Sequence, residues 1–482
     1  MDSRDLTAPA LVLFRSDLRL ADNAALTAAA QSGRPVIPVF VLDEMSPSVR
    51  PIGGARRWWL HHSLAALQDG LRKAGSPLVL RRGAMGDAVL ALARQTGAAA
   101  VFWNRRYQQA EREADAAMKI RLKADGIEAA SHAGFLLHEP WEPKTAAGQP
   151  FRVFTPFYRA LQALPAPGQP LPRTGRLRPP LVAPESDSLD SWNLLPKRPD
   201  WAAGLRAAWK PGEAAAHAQF HTFLKGPLAG YPEARDFPGM DGTSRLSPYL
   251  AHGEISPRQV FHALAGNASE AAAKFLRQIG WREFSWHLLF HNPGLETRNF
   301  NPAFDNFAWK ADSKGLNAWQ KGRTGYPLVD AGMRQLWETG WMHNRVRMAA
   351  ASFLTKHLLI DWRLGEDWFW DTLVDADAAN NAAGWQWVAG SGADAAPYYR
   401  IFNPTLQGER FDAQGQFVRR FVPELAGLPD AGIQQPEKTS PANLQAAGVE
   451  LGNNYPMPII EHGFARDRAL AAYAGLKGEL PE

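Results

Sequence analysis

The chain has 482 residues, a formal net charge of +5 and no cysteine. This length predicts two or three domains, and the absence of cysteine excludes disulfides, thiolate metal sites and thiol nucleophiles. Charges at Arg15, Asp17 and Arg19 interrupt the N-terminus, and no run of about 18 apolar residues follows. We therefore expect no signal peptide, no membrane segment and a cytoplasmic location.

Residues 10–133 alternate short apolar runs with helical patterns, which predicts an α/β domain over 1–133 with a doubly wound, Rossmann-like parallel sheet. Asp22 and Asp87 are predicted helix N-caps. No GxGxxG follows the first apolar run, so the standard dinucleotide fingerprint is missing. The predicted strands cover 11–14, 36–42, 78–80, 98–103 and 127–130, and the predicted helices cover 22–31, 54–74, 87–95 and 109–124.

Proline marks the middle of the chain, because 13 of the 37 prolines fall within residues 136–199. This composition predicts an irregular interdomain linker over 134–210, with one short helix near 151–161. Helical patterns dominate from there on, and strand signals are nearly absent. We therefore predict a second, all-α domain over 211–482.

Basic and aromatic residues concentrate in this helical domain. Residues 271–350 carry 11 Lys and Arg against 6 Asp and Glu, and 11 of the 18 tryptophans fall within 271–390. The basic excess fits either a solvated face or phosphate binding. Tryptophan fills cores, but such a density also suits contacts with flat ligands or electron transfer.

Four segments of the helical domain combine polar and aromatic side chains. Residues 242–247 offer small residues, hydroxyls and an arginine that suit phosphate, with a plain helix N-cap as the alternative. Residues 280–286 form one helix with an aromatic and a polar face, or else an amphipathic core helix with a surface ion pair. Residues 339–348 can contact a base edge or phosphate, or form an arginine-rich surface helix.

The fourth segment, residues 375–387, crowds acids, amides and indoles among small apolar residues. Buried polar groups need partners, which a flavin ring and its ribityl chain would supply. A carboxylate pair could instead bind Mg²⁺, but no phosphate-binding loop accompanies it, so we predict no metal site.

Several motifs together resemble the photolyase/cryptochrome family, and most specifically its bacterial cyclobutane pyrimidine dimer photolyases. The resemblance runs nearly end to end. The motifs lie at residues 14–23, 242–250, 281–284, 324–331, 340–345, 384–387 and 400–404.

The resemblance implies a U-shaped FAD in the helical domain. Arg347 and Asp375 would pair beside the isoalloxazine, and Asn381 would face flavin N5. Asn at this position is typical of photolyases, whereas plant cryptochromes carry Asp. The implied cofactor-binding residues are Tyr231, Thr243, Ser244, Arg245, Leu246, Ser247, Gln278, Arg282, Asn344, Arg347, Asp375, Ala376, Asp377 and Asn381.

The resemblance also implies an electron relay through Trp385, Trp362 and Trp309, which would act with Asn381 in catalysis. Core packing is the alternative for each tryptophan taken singly. The partner would be UV-damaged DNA, with the dimer flipped out into a pocket. That substrate pocket would comprise Gln278, Trp281, Asn344, Arg345, Met348, Trp387 and Arg400.

Gln278 departs from the family pattern for cyclobutane dimer repair, which usually has Glu there. Gln is common at this position in six-four photolyases and animal cryptochromes, so a shifted lesion preference is one alternative. Met348 and the sequence of residues 343–345 favour the cyclobutane type. A blue-light photoreceptor and an electron-transfer flavoprotein are further alternatives. The chain ends about 80 residues past Arg400 without a low-complexity tail, which argues against the photoreceptor.

The expected reaction is light-driven splitting of a cyclobutane pyrimidine dimer by an electron from photoexcited reduced FAD. The α/β domain is expected to seat an antenna chromophore, either methenyltetrahydrofolate or 8-hydroxy-5-deazaflavin, or none. Glu111 matches a folate-contacting position of some relatives, but the neighbouring Asn found there is Ala110 here. We expect the protein to work as a monomer.

Overall fold

The computed structural model describes residues 6–47, 49–395 and 399–477. The chain divides into two compact units. The first comprises the described residues up to Ala202 with Trp209–Thr222 and Arg245–Pro293, and the second comprises Ala203–Ala208, Phe223–Ser244 and the described residues from Gly294 onward. The predicted domain limits at 133 and 210 rest on the alternation of sequence patterns and on proline content, and they stay predictions.

A five-stranded parallel sheet lies in the first unit, with the order β3-β2-β1-β4-β5. Ala10 pairs with Val36 on one side and Ala100 on the other, so the strand order reverses its direction at β1. This is the switch point of a doubly wound fold, which confirms the predicted α/β class. The strands are β1 (Ala10–Phe14), β2 (Val36–Leu42), β3 (Val79–Arg82), β4 (Ala100–Asn104) and β5 (Glu128–His132).

Helices cover both faces of the sheet. Successive strand residues point to opposite faces, so Val12 joins one buried apolar cluster and Leu13 the other. The first cluster includes Leu64 and the second includes Val89, from helices on opposite sides. These helices are α1 (Ala24–Gln31), α2 (Gly54–Ala74), α3 (Met85–Thr96) and α4 (Gln109–Ala124).

Both predicted N-caps in this unit are wrong. Asn23, not Asp22, caps α1 and accepts a hydrogen bond from the Leu26 amide. Asp22 adopts a positive φ of 51°, and its carboxylate pairs with Arg258 at 2.7 Å. Asp87 lies inside the first turn of α3, where an acid favours the positive end of the helix dipole.

The predicted linker contains α5, a 3₁₀ turn at Leu189–Trp192 and α6 (Ala203–Ala208) and is otherwise irregular. The remaining helices of the first unit follow it in the chain. The helix predicted near 151–161 is α5, displaced by about one turn. Helix α7 begins in the first unit and ends in the second. These helices are α5 (Phe154–Ala163), α7 (Glu213–Lys225), α9 (Ser247–Ala251), α10 (Pro257–Leu264) and α11 (Glu270–His291).

The second unit is helical, and its described residues contain no strand beyond an isolated bridge between Leu451 and Tyr455. The all-α prediction is therefore confirmed. A π-helical turn, Phe353–His357, follows α14. No helix of the described residues is both long and apolar enough to cross a membrane. The helices are α6 (Ala203–Ala208), α8 (Tyr231–Ala234), α12 (Ser313–Gln320), α13 (Pro327–Thr339), α14 (Asn344–Ser352), α15 (Trp362–Thr372), α16 (Ala378–Ala389), α17 (Pro404–Phe411), α18 (Gln416–Phe421), α19 (Asp430–Ile433), α20 (Pro441–Ala446) and α21 (His462–Lys477).

Asp330 in α13 is a hub of the second unit. Its fully buried carboxylate accepts hydrogen bonds from the Thr324 amide (2.6 Å) and hydroxyl (2.7 Å), the Gly325 amide (3.0 Å) and the Tyr455 hydroxyl (2.9 Å). Gly325 adopts a φ of 79°, which favours glycine. The family-like motif at 324–331 is therefore structural, because its polar side chains bind one another and the segment around Tyr455.

Candidate functional site

An ion pair with a buried carboxylate joins α14 to the loop before α16. Arg347 Nη2 lies 2.8 and 3.1 Å from the two carboxylate oxygens of Asp375, and Arg347 Nε donates to the Met342 carbonyl at 2.7 Å. The Asp375 side chain is 2% exposed, whereas that of Arg347 is 25% exposed. The pair has the arrangement that the family resemblance implies, and its role toward a cofactor stays a prediction.

Asn381 is oriented by a residue that the sequence analysis missed. Its amide nitrogen donates to the Glu366 carboxylate at 2.7 Å and to the Glu366 carbonyl at 3.1 Å. The amide oxygen makes no hydrogen bond within the described residues, so it remains an acceptor. Asn381 is 9% exposed, so most of the residue is buried.

Trp385 lies four residues after Asn381, on the same face of α16. Its ring packs edge-on against Trp319 and Phe369 at centroid distances of 6.0 and 5.0 Å. A Cβ atom at Gly365 would overlap the indole, so α15 and α16 approach closely only because this residue is glycine. The indole nitrogen is buried and has no hydrogen-bond partner in the described part of the chain.

The three tryptophans of the predicted relay differ in burial. Trp385 is 3% exposed, Trp362 is fully buried, and Trp309 is only partly buried. Trp362 donates from its indole nitrogen to Asn299 at 2.9 Å, which fixes its ring. Trp309 packs on Phe307 at 4.4 Å between ring centroids. A relay needs its outer member near the surface, and this order of burial fits that need.

The residues around α16 fit a flavin. A flat ring system with N–H and carbonyl groups would use the Asn381 acceptor, the unpartnered Trp385 indole and the Arg347–Asp375 pair, while small residues leave room for it. Asp377 is the N-cap of α16 and accepts from the Asn380 amide at 2.8 Å. Ala376 is buried beside it.

The predicted phosphate-binding segment divides between the two units. Thr243 and Ser244 belong to the second unit with Tyr231, whereas Arg245, Leu246 and Ser247 belong to the first. A Cβ atom at Gly242 would lie 2.6 Å from Ala234 Cβ, so close packing on α8 explains that glycine. Leu246 occupies the N-cap position of α9 and makes no side-chain cap hydrogen bond. The phosphate-binding role of this segment and its N-cap alternative both stay predictions.

The aromatic face of α11 carries Trp281 in the first unit. Its ring stacks face to face on Phe154 at 3.7 Å between centroids and 6° between planes. Gln278 lies one turn earlier on the same face, and its amide nitrogen lies 3.5 Å from the Lys274 carbonyl. Trp281 is half-buried, and Phe154 is a supporting residue that the sequence analysis missed.

The polar face of α11 is buried, so the alternative of a surface ion pair there is wrong. The side chains of Arg282 and Glu283 are 9% and 3% exposed, and they lie 3.5 Å apart. Burial raises the pKa of Glu283 to about 7, although Arg282 opposes the shift. Arg282 also donates to the Phe135 carbonyl at 3.0 Å. Its predicted contact with the cofactor stays a prediction.

The predicted substrate-binding side chains of the second unit make few contacts with other protein groups. Asn344 is exposed, and its amide nitrogen lies 3.9 Å from the Met348 sulfur. Trp387 donates to the Asp394 carbonyl at 3.1 Å, and the Arg400 guanidinium lies 5.8 Å from the Trp387 ring centroid. Asn344, Met348, Trp387 and Arg400 therefore keep polar or apolar surface for a ligand.

Arg345 is held by Asp236, another residue that the sequence analysis missed. The two side chains form an ion pair at 2.8 Å. His343 begins this helix as its N-cap and accepts from the Arg345 amide at 3.2 Å. Burial lowers the pKa of His343 to about 4, so the imidazole is neutral at pH 7 and can accept.

Glu111, the predicted antenna-contacting residue, has an ion-pair partner within the protein. Glu111 pairs with Arg106 at 3.1 Å, and Asp115 pairs with Arg106 at 2.9 Å and with Arg15 at 2.6 Å. These groups follow β1 and β4, next to the switch point of the sheet. Both antenna alternatives, and the absence of an antenna, stay open.

Comparisons with known proteins agree with this geometry. Residues 10–175 match the family described as DNA photolyase, and residues 275–475 match the FAD binding domain of DNA photolyase. A deoxyribodipyrimidine photo-lyase of Agrobacterium fabrum is 54% identical over 98% of both chains. Cryptochrome-1 of Arabidopsis thaliana is 40% identical over 93% of this chain and 68% of its own.

A solved structure has the same fold throughout. The bacterial class III photolyase from Agrobacterium tumefaciens superimposes with a TM-score of 0.95 at 54% identity, covering 99% of both chains. The sheet, the helical unit and the matched FAD-binding domain together define a flavoprotein of the light-driven kind. The chain belongs to the photolyase/cryptochrome family, on its photolyase side.

Proposed function

We propose that this chain repairs UV-damaged DNA by splitting cyclobutane pyrimidine dimers in blue or near-UV light. The observation that carries the proposal is the Asn381 amide oxygen, available as an acceptor in the same matched FAD-binding domain as the Arg347–Asp375 pair. The chemistry supplied by bound, reduced FAD is light-driven donation of one electron to the dimer and recovery of that electron after the bonds split.

The protein's own residues bind and orient the reactants. Asn381 presents an acceptor that suits a protonated flavin N5, because Glu366 already takes its amide nitrogen. Arg347 is paired with Asp375, so the charge of the buried carboxylate is balanced and the position of the guanidinium is fixed. Trp385, Trp362 and Trp309 are proposed to carry the electron that reduces the cofactor.

Damaged DNA is the proposed partner. The pocket residues Trp281, Asn344, Arg345, Met348, Trp387 and Arg400, with Gln278, are proposed to receive the flipped dimer, and the basic excess of 271–350 to contact backbone phosphates. Aromatic rings bind flipped bases by stacking, and arginine pairs with phosphate. The cytoplasmic location and the monomeric state remain predictions from the sequence.

The experiment that tests the proposal is a repair assay with one defined lesion. Photoreduced protein and an oligonucleotide with a single thymine cyclobutane dimer are illuminated, and the return of pyrimidine absorbance is followed against a dark control. We expect light-dependent recovery. No recovery from protein that retains reduced FAD would contradict the proposal.

Gln278 supports a second candidate, repair of the six-four photoproduct. An amide offers one acceptor and two donors, whereas a carboxylate offers only acceptors. Gln278 would therefore hydrogen-bond a lesion with a different set of donors and acceptors. The same assay with a six-four oligonucleotide separates the two activities. Failure with both lesions, with FAD bound, would favour a photoreceptor.

A further inference from the structure

The guanidinium of Arg345 is held on two sides. Its Nη2 atom lies 2.8 Å from Asp236 Oδ1, and its central carbon lies 4.4 Å from the centroid of the Phe411 ring. The Nε atom is buried and makes no hydrogen bond within the described residues. The group is therefore fixed in orientation while some of its donors stay unused.

Two arginines contact Asp236, because Arg235 Nε lies 3.8 Å from the same carboxylate oxygen as Arg345 Nη2. A third, Arg410, has its guanidinium 5.1 Å from the centroid of the Phe411 ring that Arg345 also covers. We call Arg235, Arg345 and Arg410 the arginine cluster. Arg345 also lies in the first turn of α14, so the helix dipole adds positive potential there.

This cluster has the chemistry of a phosphate site. An arginine fork binds carboxylate and phosphate through the same paired donors. A DNA phosphate and the Asp236 carboxylate would therefore compete for Arg345. Both side chains are reachable from solvent, because that of Arg345 is 22% exposed and that of Asp236 is 36% exposed.

We propose that Asp236 determines specificity by pairing with Arg345 in the DNA-free protein and so lowering its affinity for undamaged DNA. The inference rests on the proposed function, which supplies the DNA substrate. Undamaged duplex offers mainly its backbone charge, and the carboxylate opposes that charge. A flipped lesion adds base contacts, which are sufficient to displace the carboxylate.

The test compares FAD-loaded variants on an undamaged duplex and on the same duplex with one thymine dimer, over a series of salt concentrations. For Asp236→Asn we expect affinity for undamaged duplex to rise roughly threefold to tenfold at low salt, with the log–log salt slope steeper by about one. The preference for the dimer should fall accordingly. Asp236→Glu should keep the wild-type slope, because the carboxylate remains.

Asp241→Asn is the matched control. It removes the same charge from the same segment, and Asp241 forms no ion pair among the residues that the structure describes. In an Arg345→Met background, Asp236→Asn should have no effect, since the carboxylate acts through that guanidinium.

Three results would overturn the inference: equal effects of Asp236→Asn and Asp241→Asn, an undiminished effect without Arg345, or release of FAD from Asp236→Asn. The last would show that the carboxylate serves the fold. A wild-type protein with no preference for the dimer would instead contradict the proposed function.

Discussion

The indole of Trp281 lies parallel to the phenyl ring of Phe154, 3.7 Å away between ring centroids. Phe154 is 1% exposed and comes from α5, so a fully buried side chain supports one face of a half-buried one. The tryptophan is therefore held in a fixed plane before any ligand arrives. Its remaining surface is what a flipped base could stack on.

We expect Trp281→Ala to weaken binding of dimer-containing DNA by about 1–3 kcal/mol, the usual value for one base–aromatic stack. Phe154→Leu should weaken it less, because the tryptophan stays but loses its support. Phe157→Leu is the control, since Phe157 is equally buried and contacts Phe284 at 5.1 Å. Filter binding with FAD content checked would show this, and unchanged affinity in Trp281→Ala would exclude the pocket assignment.

The Arg347–Asp375 pair predicts a change in FAD retention. Asp375→Asn leaves the guanidinium without its counter-charge, and because Arg347 is partly exposed we expect a cost below the about 3–5 kcal/mol typical of a fully buried pair. We expect a lower Tm and at least tenfold weaker retention of FAD. Glu424→Gln, which breaks a partly buried pair with Arg334 at 2.7 Å, should lower stability but keep FAD. Full retention in Asp375→Asn would argue against a cofactor role.

The relay that the family resemblance implies predicts that Trp362 acts in reduction of the cofactor rather than in repair. We expect Trp362→Phe to slow light-driven reduction of bound FAD by at least tenfold, because phenylalanine is much harder to oxidise. Repair by chemically reduced protein should stay within about twofold of wild type, since the cofactor then starts reduced. Trp370→Phe, at a buried tryptophan outside the relay, serves as the control. Equal loss in both variants would indicate a packing effect instead.

The raised pKa of the Glu254 carboxyl makes the stability of the first unit depend on pH. Its side chain is fully buried, and burial raises its pKa to about 8, although the Ser63 hydroxyl and the Gly212 amide donate to it. Folding therefore keeps a proton that the unfolded chain releases above its ordinary pKa near 4.5. Stability from this group is fully present below that value and is lost as pH rises toward 8.

Chemical denaturation between about pH 5 and pH 8 measures this effect. We expect wild-type stability to fall with rising pH, and Glu254→Gln to flatten the dependence because its amide does not titrate. The neighbouring Glu213→Gln, at a residue with less burial, should keep the wild-type slope. An unchanged slope in Glu254→Gln would show that other groups set the pH dependence.

Periodicity located the strands and most helices, because their buried residues repeat with the spacing of each element. The turn after α14 is π-helical, and the spacing of apolar residues does not distinguish such a turn from a continued α-helix. The predicted N-cap at Asp22 was wrong for another reason. Asp22 and Asn23 are both good capping residues, and only the long-range pair with Arg258 selects between them.

The residues of the site were predicted from motifs, but the residues that position them, such as Glu366 and Gly365, were not. Arg347, Asp375 and Asn381 stand in segments dense with polar residues, which drew attention from sequence alone. Glu366 stands 15 positions before its partner, and nothing in the spacing of the chain marks the contact. Gly365, next to it, looks like an unfavourable helix residue, and only the Trp385 ring in its place explains it.

The hydrogen bonds of Asp330 constrain the order in which the chain can fold during synthesis. Its fourth donor, the Tyr455 hydroxyl, is 125 residues further along, and Tyr326 also reaches forward to the Ile460 carbonyl at 2.7 Å. When α13 leaves the ribosome, Tyr455 and Ile460 have not yet been synthesised. The Asp330 carboxylate then lacks the hydrogen bond from the Tyr455 hydroxyl. The full set of hydrogen bonds around Asp330 therefore forms only after the segment with Tyr455 has been synthesised. Folding of the second unit includes this late, long-range step.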